Sequence, residues 1–367
     1  MEIEIITSVD QLEAFCTHAN CLDWISVDTE FMREDTYYPK LCLIQIATQS
    51  RIACVDALII NDLSALNKLF VSKTITKVFH AGRQDLEILL MINGQIPNPV
   101  FDTQIAASAL GYGDQISYAQ LVDRLCGMQL DKSLSRTVWT KRPLSDKAIQ
   151  YAANDVRYLS RIYTLLKNEL AAKGRSHWVE SECEALNDLE KYRTDADTLW
   201  KSVKGARKLS SRQLNILRWL ASWRNQQAME QDRPRQWIIR DEALRELAIR
   251  QPNNIASLEK VELLSRKQRH RYADKLLNCI DKARQTPKDD WPEAITKPPL
   301  SREQRKLLKQ AKAFVCERAE QLGVAPNFLA TRSMLETLIS TPGELYKLQN
   351  WRLDLLGSDL KQLLEEE

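Results

Sequence analysis

Two carboxylates close an apolar run at residues 25–31, which reads ISVDTEF. In an extended chain, side chains two positions apart share a face. Asp28 and Glu30 therefore project together from an otherwise hydrophobic element. Two unpaired carboxylates buried side by side are costly, so the pair calls for a cation or for solvent. A bound metal ion is one answer, and a strand emerging into water is the other. Two later segments add carboxylates of their own. In FHAGRQDLEILL, Asp85 falls in the first turn of a helix that follows a strand, where it also complements the helix dipole. In QYAANDVRYL, Tyr151 and Asp155 stand four apart in a helix, on one face and one turn from each other. Each piece is ordinary by itself. The ordered set is not.

These side chains need elements to hold them. Strands are expected at 24–31, 40–48, 51–58 and 75–81, and the two-residue link Gln49-Ser50 makes the second and third an antiparallel hairpin. Helical patterns follow at 62–71, 82–92, 103–110 and 117–126. A long one covers 144–174, with Ser145 as N-cap and Gly174 at its end. Three strands followed by strand–helix alternation give a mixed sheet flanked by helices. Beyond about residue 175 the strand signals stop, and from 209 onward the chain is helical. The stretch from Leu209 also repeats from Leu300, at an offset of 91 residues without a gap. Trp223 falls on Phe314, Ala228 on Ala319, Trp237 on Phe328 and Leu244 on Leu335. The matched positions are apolar and helix-spaced, so they mark core, and two copies mean tandem small domains. The expected organisation is an α/β domain over 1–175, a helical linker over 176–208, and helical domains over 209–288 and 300–367.

Composition narrows the chemistry. With 44% hydrophobic and 28% charged residues among 367, the chain is of ordinary globular make-up. The start MEIEIITSVDQ carries acids and no long apolar stretch, so no signal peptide is expected, and no run is long enough for a membrane helix. Eight scattered cysteines form no C-x-x-C, which points to a reduced cytoplasmic protein. Only four histidines are present, so metal chemistry must rest on carboxylates, and those favour hard cations such as Mg²⁺ or Mn²⁺. Residues 1–170 hold 16 Lys and Arg against 20 Asp and Glu, and the remainder holds 36 against 29. An acidic front half joined to a basic back half suits a metal-dependent site beside a polyanion-binding surface; a solvated basic helical surface would look the same.

The ordered motifs resemble those of the DEDD superfamily of 3′–5′ exonucleases, and within it the ribonuclease D family. VDTEF matches the first motif, HAGRQDLEIL the second and YAANDVRYL the third, with YYPKLCLIQIA, FDTQIAA and LDKSLSRTVWTKRPLS also typical of that family. The repeated helical segments resemble tandem HRDC domains, the second diverged. The resemblance implies a ribonuclease H-like α/β exonuclease domain followed by two all-α HRDC-like domains. It implies two divalent metal ions held by Asp28, Glu30, Asp85 and Asp155, with Asp28 bridging them. Tyr151, with an ordinary pKa near 10, would orient the attacking water, and tyrosine at this place marks the DEDDy branch. The implied reaction is 3′-end trimming of RNA, tRNA precursors in particular, with release of nucleoside 5′-monophosphates by a monomeric enzyme. A DNA exonuclease of the same superfamily and a non-catalytic RNA-binding protein are the alternatives.

Four further residues are candidates for substrate contact. His80 lies on the strand before Asp85 and is read as structural or as a contact near the substrate. Lys132 and Ser133, in GMQLDKSLSRTVW, are placed to meet a phosphate or to form a surface loop. Arg269, in SRKQRHRYADK, has helical spacing suited to phosphate contact. Asp102 in FDTQ is read as a helix N-cap in preference to a fifth ligand.

Overall fold

The computed structural model describes residues 1–131, 137–193, 195–294, 300–341, 348 and 350–365. Six strands form one sheet: β1 (Glu2–Ile6), β2 (Trp24–Met32), β3 (Lys40–Ala47), β4 (Arg51–Val55), β5 (Thr76–Phe79) and β6 (Val100–Asp102), in the order β1-β4-β3-β2-β5-β6. β3 and β4 pair antiparallel, Ile44 opposite Val55, as the short link requires. Thr48 closes that link, its hydroxyl oxygen accepting from the N–H groups of Ser50 and Arg51. β1 with β4, β2 with β5, and β5 with β6 run parallel, so the sheet is mixed. Residues Leu41–Ala47 are all buried, and their almost unbroken apolar run places β3 inside the sheet.

Two strands lay outside the sequence expectation. β1 interleaves Glu2 and Glu4 with isoleucines, so no apolar run marks it, and β6 has only three residues. The long helix expected over 144–174 is divided into Asp146–Arg157 and Leu159–Ala172. The cause lies at the break. Tyr118 donates its hydroxyl hydrogen to the Asn154 carbonyl at 2.9 Å, and the Tyr158 N–H bonds Val156 O. Ser145 caps the first half, accepting from Ala148 N.

The chain divides into two compact units. One comprises Met1–Met32, Leu41–Lys191 and Leu300–Glu367, and the other Arg33–Lys40 and Tyr192–Pro299. In the first, helices Arg302–Leu322, Arg332–Ser340 and Asn350–Glu365 share an apolar core with helices Thr103–Ala109, Leu159–Ala172 and Ser176–Glu184. Trp178 and Trp351 stack at 4.8 Å, Phe328 and Trp351 at 5.2 Å, and Arg352 pairs with the Glu182 carboxylate. The second unit has its own core, around Leu214, Leu217, Leu244, Leu247 and Leu276. Its buried Arg224 guanidinium meets Asp241 at 2.7 Å and the Ile239 carbonyl at 2.9 Å, so the charge is paired. The repeat is visible in the elements: Ser211–Glu230, Arg235–Ile238 and Asp241–Arg250 recur 91 residues later as Arg302–Leu322, Pro326–Leu329 and Arg332–Ser340.

Candidate active site

β2 is buried from Ile25 to Val27 before it reaches Asp28 and Glu30. Its pleat sends both carboxylates to one face, and helix Asp146–Arg157 brings Asp155 to them. Carboxylate oxygens of Asp28, Glu30 and Asp155 lie within 4.8 Å of one another. That spacing fits an oxygen-ligated hard cation, whose ligand atoms stand about 2–2.6 Å from the ion. Burial drives the pKa of all three upward. For Asp28 the next causes are the charges of Asp85, Asp155 and Glu30. Glu30 is pushed up to about 8 by burial and then by Asp155 and Asp85, and Asp155 to about 7 by burial. Negative charge is thus concentrated beyond what this pocket tolerates alone. A divalent cation would relieve it.

Asp85 stands outside the 4.8 Å group. It lies in the first turn of helix Arg83–Asn93 and is buried, which pushes its pKa up to about 6. Its Oδ1 accepts a 2.5 Å hydrogen bond from Thr29 Oγ1. A tight turn delivers this helix. Ala81 has φ of +56°, and a Cβ on Gly82 would come within 2.5 Å of Phe79 Cβ. Asp102 ties the turn down: Ala81 N donates to its Oδ1 at 3.1 Å and Gly82 N to its Oδ2 at 2.9 Å. Asp102 also accepts from Gln104 N at 2.8 Å as the N-cap of Thr103–Ala109. Thr29, Asp102 and Tyr118 therefore act as positioning residues. Of these, only the capping role of Asp102 was readable beforehand. Thr29 faces away from its neighbours in the pleat, and Tyr118 reaches its partner across 36 residues.

Tyr151 sits one turn before Asp155. Burial, then the charges of Asp155, Glu30 and Asp28, raise its pKa, so its hydroxyl stays protonated at neutral pH. A cavity of about 380 Å³ adjoins it, lined by Lys147, Gln150, Tyr151, Asn154 and Asp155 among others. Lys147, Gln150 and Asn154 were not singled out from sequence, although their place on the Tyr151–Asp155 helix is the signal that finds them. His80 is held at both ring nitrogens, by Thr103 Oγ1 at 2.9 Å and by the Ile116 carbonyl at 3.0 Å. Arg269, in the other unit, donates through Nη1 to the Glu259 carbonyl at 2.6 Å. Lys132 and Ser133 lie outside the described residues.

A mixed sheet whose inner strand carries paired carboxylates, with an Asp on one adjoining helix and a Tyr–Asp pair on another, is the arrangement of a 3′–5′ exonuclease. The 3′–5′ exonuclease family model matches residues 3–171, and the HRDC domain model matches 213–280. Ribonuclease D of Bartonella henselae is 36% identical over 99% of this chain and 90% of its own length. That of Granulibacter bethesdensis is 38% identical over 97% and 91%. The crystal structure of Escherichia coli RNase D, an exoribonuclease involved in structured RNA processing, superposes with a TM-score of 0.89 at 32% identity, covering 100% of this chain and 99% of that one. The catalytic core of RRP6 from Trypanosoma brucei gives 0.59 at 28%, covering 77% and 80%. The chain belongs to the ribonuclease D family of exoribonucleases.

Proposed function

We propose that this chain trims the 3′ ends of small structured RNAs, tRNA precursors among them, releasing nucleoside 5′-monophosphates as a cytoplasmic monomer. The observation that carries this reading is the convergence of Asp28, Glu30 and Asp155 within 4.8 Å on a family nuclease fold. Asp28, Glu30, Asp85 and Asp155 would hold two Mg²⁺ or Mn²⁺ ions. Bound there, the ions supply Lewis-acid charge at the scissile phosphate and acidify a water. The protein's own groups do the rest. Tyr151 is neutral and hydrogen-bonds the attacking water, aiming it in line. Thr29 fixes the rotamer of Asp85, and Tyr118 fixes the turn of helix before Asp155. Lys147, Gln150 and Asn154 line the adjoining cavity together with Asp131 and Asp146, and they offer a terminal nucleotide a cation and amide partners. The basic helical segments hold the RNA body, and Leu300–Glu367 is a second, diverged HRDC-like copy. The test is hydrolysis of 3′-labelled RNA and a matched DNA, with and without Mg²⁺ or Mn²⁺. Metal-dependent release of labelled monophosphate from RNA is expected. Equal or greater release from DNA overturns the RNA assignment, and release in chelator overturns the metal assignment.

A further inference from the structure

The two repeat copies expose the same face differently. Phe328 in the second copy is 8% exposed and lies against Trp178 and Trp351. Its counterpart in the first copy, Trp237, is 59% exposed. Around it the substitutions are consistent. Val324 and Thr331 of the second copy correspond to Arg233 and Arg240 of the first. Helix Arg266–Gln285 adds Lys267 and Arg271, four apart and thus on one side. These residues line two adjoining cavities, of about 690 and 210 Å³, which share Arg233, Trp237, Ser265 and Gln268, and no carboxylate lines either. Among the described residues, Arg233, Arg240, Lys267 and Arg271 are exposed and make no ion pair with a carboxylate.

A large indole left in water amid four cations offers an aromatic face and positive charge in one place. In the second copy Phe328 and Val324 are apolar and covered. Here the surrounding groups are Arg and Lys, a set of cations that the phosphates of a polyanion would complement. Base–aromatic stacking beside phosphate-binding cations is how single-stranded nucleic acid is gripped without regard to sequence. We propose that Trp237, flanked by Arg233, Arg240, Lys267 and Arg271, is a stacking platform for an unpaired base of the RNA, with its neighbouring phosphates on the four cations. This rests on the RNA reading above and names residues for the grip. It also moves the grip away from Arg269, whose guanidinium is engaged by the Glu259 carbonyl.

The experiment uses the full-length chain and a 5′-labelled oligouridylate, titrated by fluorescence anisotropy in chelator so that no strand is cut. Trp237→Ala should weaken binding about tenfold, since stacking contributes roughly 1–3 kcal/mol per base, while Trp237→Phe retains most of the affinity. Lys267→Glu with Arg271→Glu should weaken binding and flatten its salt dependence, by about 0.7 in the log–log slope for each phosphate no longer neutralised. Circular dichroism of each variant establishes that it is folded; should Trp237→Ala fail that check, Trp237→Phe and the charge reversals decide. Unaltered affinity in the folded variants overturns the platform. So does unaltered RNA affinity with altered sedimentation, which would assign the face to self-association. A parallel hydrolysis assay in Mg²⁺ keeps the questions apart. A wild-type chain that binds through Trp237 but does not cut RNA refutes the proposed function and leaves the platform standing.

Discussion

Thr29 Oγ1 donates to Asp85 Oδ1 across 2.5 Å, linking the residue between the clustered carboxylates Asp28 and Glu30 to a third carboxylate 56 positions away. One strand thus contributes to the site from both sides of its pleat: Asp28 and Glu30 on one face, and through Thr29 the orientation of Asp85 from the other. Removing only the donor tests the link. Thr29→Val keeps the shape and should lower RNA hydrolysis and raise the Mg²⁺ concentration for half-maximal rate about 10- to 100-fold, the scale of missing outer-shell partners. Thr29→Ser should recover most of both. An unchanged Mg²⁺ titration for the Val variant would show that Asp85 orients without help.

Asp28→Asn and Asp155→Asn should each abolish hydrolysis, because too few anionic ligands remain for two divalent ions. Both should also be at least as thermally stable as wild type in chelator, since each removes a buried charge among like charges. Measurable turnover by either variant, or a large drop in its melting temperature, contradicts this account.

The raised carboxyls fix a pH dependence. Asp85, Asp155 and Glu30 have folded-state values near 6, 7 and 8, above their ordinary values near 4. The folded state then binds more protons than the unfolded one between those limits. Their contribution to stability is fully present below about pH 4 and is lost as pH rises through about 6 to 8. Thermal scans in chelator should show Asp155→Asn gaining on wild type across that window, and Mg²⁺ should erase the difference. A constant gap from about pH 4 to about pH 8 would contradict it.

Gly82→Ala should damage both stability and activity. The added Cβ meets Phe79 Cβ at 2.5 Å, so the turn before Asp85 must shift. Overpacking of this kind costs about 1–3 kcal/mol, read as a lower denaturation midpoint, and hydrolysis should fall beyond what unfolding explains.

Tyr151→Phe keeps the ring beside Trp139 but loses the hydroxyl. Turnover should fall about 100-fold or more through poorer positioning, with KM and the Mg²⁺ titration nearly unchanged. A wild-type kcat would reduce Tyr151 to packing.

The candidate set was legible because its spacing is local: a pleat period for Asp28 and Glu30, and one helical turn for Tyr151 and Asp155. What escaped reading depends on distant partners. The Thr29 link, the Asp102 clamp on Ala81 and Gly82, and the helix break caused by Tyr118 each join residues at least 20 positions apart. Helical spacing placed Arg269 among candidate phosphate contacts, yet spacing alone does not say that its guanidinium turns back to the Glu259 carbonyl. In the same way, the repeat equated Trp237 with Phe328 but concealed that one is covered and the other is not.

The shared core of Leu300–Glu367 with the nuclease helices has a consequence for biosynthesis. The first unit is interrupted in the chain by the whole of Tyr192–Pro299, so its core members Trp351 and Leu360 are synthesised after that segment. Domains generally fold during synthesis from the N-terminal side, but part of this unit's core follows residue 300. The inserted helical unit is synthesised whole before Phe328 and Trp351, which pack against Trp178 of its host, have been made. A nascent chain stalled near residue 300 therefore carries an uncovered apolar surface, and an RNA-degrading enzyme released early from the ribosome is left unfinished.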